Sequence, residues 1–233
     1  MNSTALAAQL DAFPNLDASK THVVPNGWEP EDFAAQQRGS ARNGDGSDTL
    51  RIAHVGTLSG HSTPQDFLDS LAELLTEEPE WIPRIKIQLI GRRSITADKA
   101  IRAFPFPSVI EVIDHVGKRE ASRRMQESDV LLLIANPALE RYLPGKLFDY
   151  LASRRPVLVF GSRGESSELI DELSAGALCP PGSGHALRDA LSGVRNLDVS
   201  RRDLTVDRWL AEHRREALAS RAFGIIDTVA VRA

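Results

Sequence analysis

Leu143-Pro-Gly-Lys-Leu-Phe-Asp-Tyr-Leu-Ala-Ser-Arg-Arg-Pro-Val-Leu-Val-Phe160 decides the fold of this 233-residue chain. A Pro-Gly turn opens a short helix that carries Lys146 and Asp149 in its first turns. The basic turn Arg154-Arg155 follows, and a fully apolar strand begins at Pro156. Just upstream lies a second apolar run, Asp129-Val-Leu-Leu-Leu-Ile134. Buried strand, loop, helix start and buried strand in that order make a βαβ unit. Its loop sets a lysine and a carboxylate at the C-terminal edge of a parallel sheet, where open α/β folds take ligands. The free N–H groups and positive dipole end of the helix start suit a phosphate. Lys146 adds a cation there, and Asp149 offers acceptors to a sugar hydroxyl. The same i,i+3 spacing also describes an ordinary surface ion pair worth roughly a few tenths of a kcal/mol. The residues alone leave both readings open.

Outward from this unit, strands and helices alternate. Leu50–Val55, Ile85–Ile90, 109–113, 130–134, 157–160 and 177–179 read as strands. Between them, Phe67, Leu68, Leu71, Leu74 and Leu75 repeat at helical period behind Thr63-Pro64, a good N-cap and N1 pair. Further helices are expected over 95–104, 118–127, 145–153, 165–173 and 185–191. A long final helix over 203–231 is expected to break near Gly224. Strands spaced by helices of about ten residues mean a doubly wound, Rossmann-like parallel sheet. The domain is expected over 49–233, with 1–48 as an N-terminal extension or interdomain segment. In that extension residues 1–20 show weak helical periodicity, and 22–28 read as a short strand ending in a Pro-Asn-Gly turn. The Gly/Asn/Asp/Ser-rich stretch 38–49 reads as a linker.

Composition narrows the function classes. With 42% hydrophobic and 26% charged residues, the chain has the balance of a globular domain. A net charge of −4 and a pI near 5.9 do not suit a protein that coats nucleic acid. The single cysteine, Cys179, rules out an intrachain disulfide and a Cys-rich zinc site, and its apolar neighbours mark it as buried core. No run approaches the ~18–20 apolar residues of a membrane span. The N-terminus lacks the pattern of a secretion signal, so a cytoplasmic location is expected.

The first strand runs into Gly56-Thr-Leu-Ser-Gly-His-Ser62, the usual phosphate loop of such folds. It is not Gly-x-Gly-x-x-Gly, which sets aside a dinucleotide oxidoreductase, and the chain has no Gly-x-x-x-x-Gly-Lys-Ser/Thr loop. No Gly-x-Ser-x-Gly elbow or His-x-x-x-His pair supports a hydrolase or a metal centre. His54, inside a strand, reads as a satisfied core histidine. His115 reads as a strand-end polar residue, and Glu168 as part of a helix start. Glu165 is a lesser candidate for the cleft.

Four segments, in order, resemble the C-terminal, donor-binding half of GT-B glycosyltransferases of family 4. Val24-Pro-Asn-Gly-Trp-Glu-Pro-Glu-Asp-Phe33 is similar to the interdomain segment, and Ala53-His-Val-Gly-Thr-Leu-Ser-Gly60 to the first strand and loop. Asp114-His-Val-Gly-Lys-Arg-Glu-Ala121 with 127–133 resembles the base-binding turn, its helix and the next strand. Pro144-Gly-Lys-Leu-Phe-Asp-Tyr-Leu-Ala152 with Arg155-Pro-Val-Leu-Val159 resembles the family's lysine–carboxylate signature.

The resemblance implies one half of a GT-B fold and transfer of a sugar from a nucleoside-diphosphate sugar to an acceptor. It implies that Asp149 binds the donor ribose. Lys146 and the Gly145 backbone would lie near the diphosphate, with Gly56, Thr57, Gly60 and His61 of the first loop, and Val116 and Gly117 near the base. Catalysis would need no metal and no cofactor beyond the donor, with positive side chains and helix ends steadying the departing diphosphate. Three departures stand out: His61 and Ser62 occupy the place where many relatives have an Arg, Asp149 replaces a Glu, and 1–48 is too short for the acceptor domain. No catalytic residue is therefore assigned. A second polypeptide supplying that domain, or self-association through the final helix around Trp209 and 223–229, is expected. A non-catalytic nucleotide-sugar-binding module is the alternative reading.

Overall fold

The apolar runs form six parallel strands in a computed structural model that describes residues 13, 21–33 and 49–230. The strands are β1 (Leu50–Val55), β2 (Ile85–Ile90), β3 (Ile110–Ile113), β4 (Val130–Ala135), β5 (Val157–Gly161) and β6 (Gly176–Cys179). The helices are α1 (Gln65–Glu77), α2 (Ile95–Ala103), α3 (Lys118–Glu127), α4 (Gly145–Ala152), α5 (Glu165–Glu172), α6 (Gly184–Arg195), α7 (Val199–Glu212) and α8 (Arg215–Ala230). Strand order is β3-β2-β1-β4-β5-β6, the doubly wound Rossmann arrangement. The chain reverses direction across the sheet between β1 and β4, paired in parallel through Ile52↔Val130 and Ala53↔Leu131.

Both faces of the sheet are covered, which is why its strands read as unbroken apolar runs. Successive side chains alternate between two cores. Leu50, Ile52, Val130, Leu132, Leu158 and Phe160 join Phe67, Leu71 and Leu74 of α1 in one. Ala53, Val55, Leu131, Leu133, Val157 and Val159 join Leu147, Phe148 and Leu151 of α4 in the other. Trp28 and Phe33 belong to this second core, so 28–33 packs on the sheet domain. Cys179 is buried as expected.

Three expectations are corrected. Helix α1 starts at Gln65 with Pro64 as its N-cap, because the chain makes a 3-10 turn at Gly60–Ser62 and leaves Thr63 extended, one residue too early to cap it. Residues 22–28 form no strand beyond one bridge between Trp28 and Arg214. The final helix breaks at 213–214 rather than at Gly224. There the Trp28 N–H donates to His213 O, and the Arg215 N–H donates to Trp28 O, both at 3.1 Å. This exchange satisfies the backbone groups that the break releases. Gly224 lies within α8, where an added Cβ would meet nothing within 4 Å. The proposed helix over 1–20 and linker over 38–48 lie outside the described residues.

Candidate functional site

The topological switch between β1 and β4 opens a crevice at the sheet's C-terminal edge. A cavity of about 120 Å³ lies there, lined by Ala135, Asn136, Tyr142, Pro144, Lys146, Ser166 and Ser62. Four elements therefore meet: the end of β4, the start of α4, the first βα loop and the start of α5. Pro144 ends the preceding loop in extended conformation, and α4 begins at Gly145 with no side chain capping it. Its amphipathic pattern buries Leu147, Phe148, Tyr150 and Leu151, which leaves Lys146 and Asp149 at the rim.

Lys146 reaches across to the end of β1. Its Nζ lies 3.4 Å from His54 Nε2 and 2.9 Å from where a Cβ on residue 56 would sit. Gly56 has φ +144°, and the absence of a side chain there makes room for the lysine. Burial pulls the Lys146 pKa down to about 8. The His54 ring is fully buried and Nδ1 donates to Leu132 O at 3.0 Å. Burial first, and then the Lys146 charge, hold His54 well below the usual histidine range. It is a satisfied core histidine, but one whose second nitrogen faces the site lysine.

Asp149 does not pair with Lys146, which settles the surface ion-pair reading against it. The charges that act on it are Lys118, Asp32 and Arg215, and burial, the largest influence, pushes its pKa up. Its Oδ1 is buried with no hydrogen-bond partner, a costly state that a ligand hydroxyl would relieve. Lys118 is the first residue of α3, directly after Gly117, and forms an ion pair with Asp32. Lys118, the residue after the Val116-Gly117 turn, thus stands close enough to Asp149 for its charge to act on the carboxylate. Gly117 is exposed, and Val116 packs against the core beneath it.

The first loop is an ordered wall. The Gly56 N–H donates to Ile90 O, the Leu58 N–H to Arg92 O, and Ser62 Oγ to the Thr57 carbonyl. Thr57 is exposed and Gly60 faces open space. His61 sits in the 3-10 turn, and its side chain lies outside the described residues. Arg93, at the end of β2, binds the Gly91 and Ile113 carbonyls and the Asp98 and Asp114 carboxylates, so it ties strand ends together. His115 is exposed, and Glu165 is buried at the start of α5.

Sequence reasoning missed Asn136, Tyr142 and Ser166 as wall residues. His54 reads from sequence as a satisfied core histidine, which it is, with no signal that its second nitrogen faces Lys146. Asn136, Tyr142 and Ser166 carried none, because their convergence depends on how three loops fold over one edge. Among the described residues no group of three or more His, Cys, Asp or Glu has metal-site geometry. Nor is any helix there long and apolar enough to cross a membrane.

The family model described as "Glycosyl transferases group 1" matches residues 49–196. A D-inositol 3-phosphate glycosyltransferase from Geodermatophilus obscurus is 27% identical over 205 residues, which is 83% of this chain and 40% of that protein. A sucrose-phosphate synthase from Thermosynechococcus elongatus matches in structure with a TM-score of 0.73 at 16% identity, over 100% of this chain and 58% of that one. A trehalose-6-phosphate protein from E. coli, solved bound with UDP-2-fluoro glucose, matches with a TM-score of 0.68 at 15% identity, over 90% and 55%. The structural likenesses show a shared GT-B domain fold. The chain spans about half the length of these relatives.

Proposed function

The chain belongs to the group 1 glycosyl transferases, and from that premise we propose that it binds a nucleoside-diphosphate sugar and serves as the donor half of a sugar-transfer reaction. The observation that carries the reading is the buried, unpartnered Asp149 Oδ1 on the helix whose first turn presents Lys146 to the β1/β4 crevice. In this reading Asp149 accepts from the ribose hydroxyls. Lys146, the uncapped start at Gly145, and Gly56, Thr57, Gly60 and His61 face the diphosphate, while Val116-Gly117 meets the base. The E. coli neighbour's UDP-2-fluoro glucose supports this ligand class.

Lys146 supplies positive charge where the diphosphate leaves, so no metal is called for, and EDTA is expected to leave nucleotide binding unchanged. The acceptor wall comes from a second domain or polypeptide. Titration calorimetry with UDP, GDP and their glucose and mannose conjugates tests the site. Binding that drops at least about tenfold in both Asp149→Ala and Lys146→Ala supports it, in line with hydrogen bonds to charged groups worth roughly 1.5–3 kcal/mol. Binding that ignores both substitutions, or no binding at all, overturns it. Binding with neither hydrolysis nor transfer, whatever partner is added, would favour the non-catalytic module.

A further inference from the structure

We infer that His54 is a positioning residue that holds the Lys146 ammonium over Gly56 at the mouth of the crevice, an inference that rests on the donor-site reading above. The Leu132 carbonyl only accepts, so the ring proton facing it at 3.0 Å sits on Nδ1. Nε2 then carries a lone pair, and it is this atom that lies 3.4 Å from Lys146 Nζ. An ammonium has three N–H donors. One is engaged by His54, which leaves two for an incoming anion.

The surroundings fix this geometry from every side. His54 is on β1, Leu132 on β4 and Lys146 on α4, so one contact spans the strands on either side of the switch point and the helix beyond them. The Tyr150 hydroxyl, also on α4, accepts from the Val55 N–H at 2.8 Å and lies 3.3 Å from the same Leu132 carbonyl. Among the described residues Lys146 is the only charged group acting on His54, and burial alone depresses Lys146. No carboxylate among them holds the lysine in place, so a neutral ring nitrogen does. A carboxylate there would neutralise the cation that a diphosphate needs, whereas an imidazole lone pair orients it and leaves its charge intact.

Two isosteric replacements separate the ring's two jobs. Asn at position 54 mimics Nδ1, keeping a donor for Leu132 O and losing the acceptor for Lys146. Gln places an acceptor near the Nε2 position. In calorimetry with UDP and GDP at neutral pH, His54→Asn is expected to bind roughly tenfold more weakly than wild type. His54→Gln should stay within about threefold of it.

A ligand-free measurement needs no His54 variant. In heteronuclear NMR of selectively labelled histidine, the His54 Nε2 resonance should shift with an inflection near pH 8, as Lys146 loses its proton. That inflection should vanish in Lys146→Met. Equal affinity of the Asn and Gln variants with wild type, or a His54 signal indifferent to Lys146→Met, overturns the inference. If wild type binds neither nucleotide, the donor-site reading fails, and the ligand-free NMR still decides the His54–Lys146 contact.

Discussion

At the scale of single residues, the site is set by two groups held away from their ordinary ionisation, in opposite senses. Lys146 has its pKa lowered from 10.5 to about 8 by burial. A bound diphosphate raises it again, so above pH 8 binding requires proton uptake. Nucleotide affinity is expected to be level below pH 8 and to fall toward tenfold per pH unit above it, checked by calorimetry in buffers of different ionisation heat. Asp149 is raised, with burial as the main cause. Its charged form costs the folded state stability above the ordinary carboxylate range, and that cost fades as pH falls toward the unfolded value. Asp149→Asn is therefore expected to raise Tm by about 2–4 °C at neutral pH, less at acid pH, while weakening nucleotide binding about tenfold or more. A thermal melt that shows Asp149→Asn less stable than wild type would contradict this. The placement of Lys146 and Asp149 on one helix at the sheet edge was legible in the sequence because their spacing and flanking strands are local. That Lys146 turns to His54 while one Asp149 oxygen is buried without a partner was not.

At the scale of elements, glycine separates two kinds of position. A Cβ on Gly91 would lie 2.2 Å from the Gly56 carbonyl, and its φ is +128°. Gly91→Ala forces the ends of β1 and β2 apart and is expected to cost more than about 3 kcal/mol by urea denaturation. Gly224 sits inside α8 in open space. Gly224→Ala should instead stabilise by about 0.5–1 kcal/mol. The break between α7 and α8 belongs to Trp28, whose backbone bridges it and whose Nε1 donates to Leu210 O at 2.8 Å. Trp28→Phe removes that bond, leaves Leu210 O with the His213 N–H alone, and should cost about 0.5–1.5 kcal/mol in the same assay. The strands and most helices were legible because period-2 and period-3.6 apolar patterns are written locally. The break was not, because the residue that makes it is 182 positions from the carbonyl its indole binds.

At the scale of the whole molecule, the β1/β4 switch point sets where the crevice at the sheet edge opens. In the segment named for self-association, Phe223 (66%) and Ile226 (58%) are exposed, whereas Trp209 is partly buried. Trp209 stacks on His213 with ring centroids 3.9 Å apart and lies 5.1 Å from Phe148, so it faces its own domain. The described domain is expected to bind nucleotide with ordinary saturation and to release no sugar until an acceptor-side domain is added, which a coupled nucleotide-release assay would show. Sequence by itself determined the doubly wound sheet, its strand segments, and the helix that carries a lysine and a carboxylate. Each of these depends on neighbours a few residues apart. Only the tertiary structure decided which groups meet at the edge of that sheet. Strand order brings β1 beside β4, a missing side chain at Gly56 admits Lys146, and the fold encloses His54 and one Asp149 oxygen. These are contacts between residues dozens of positions apart, fixed by packing rather than by pattern.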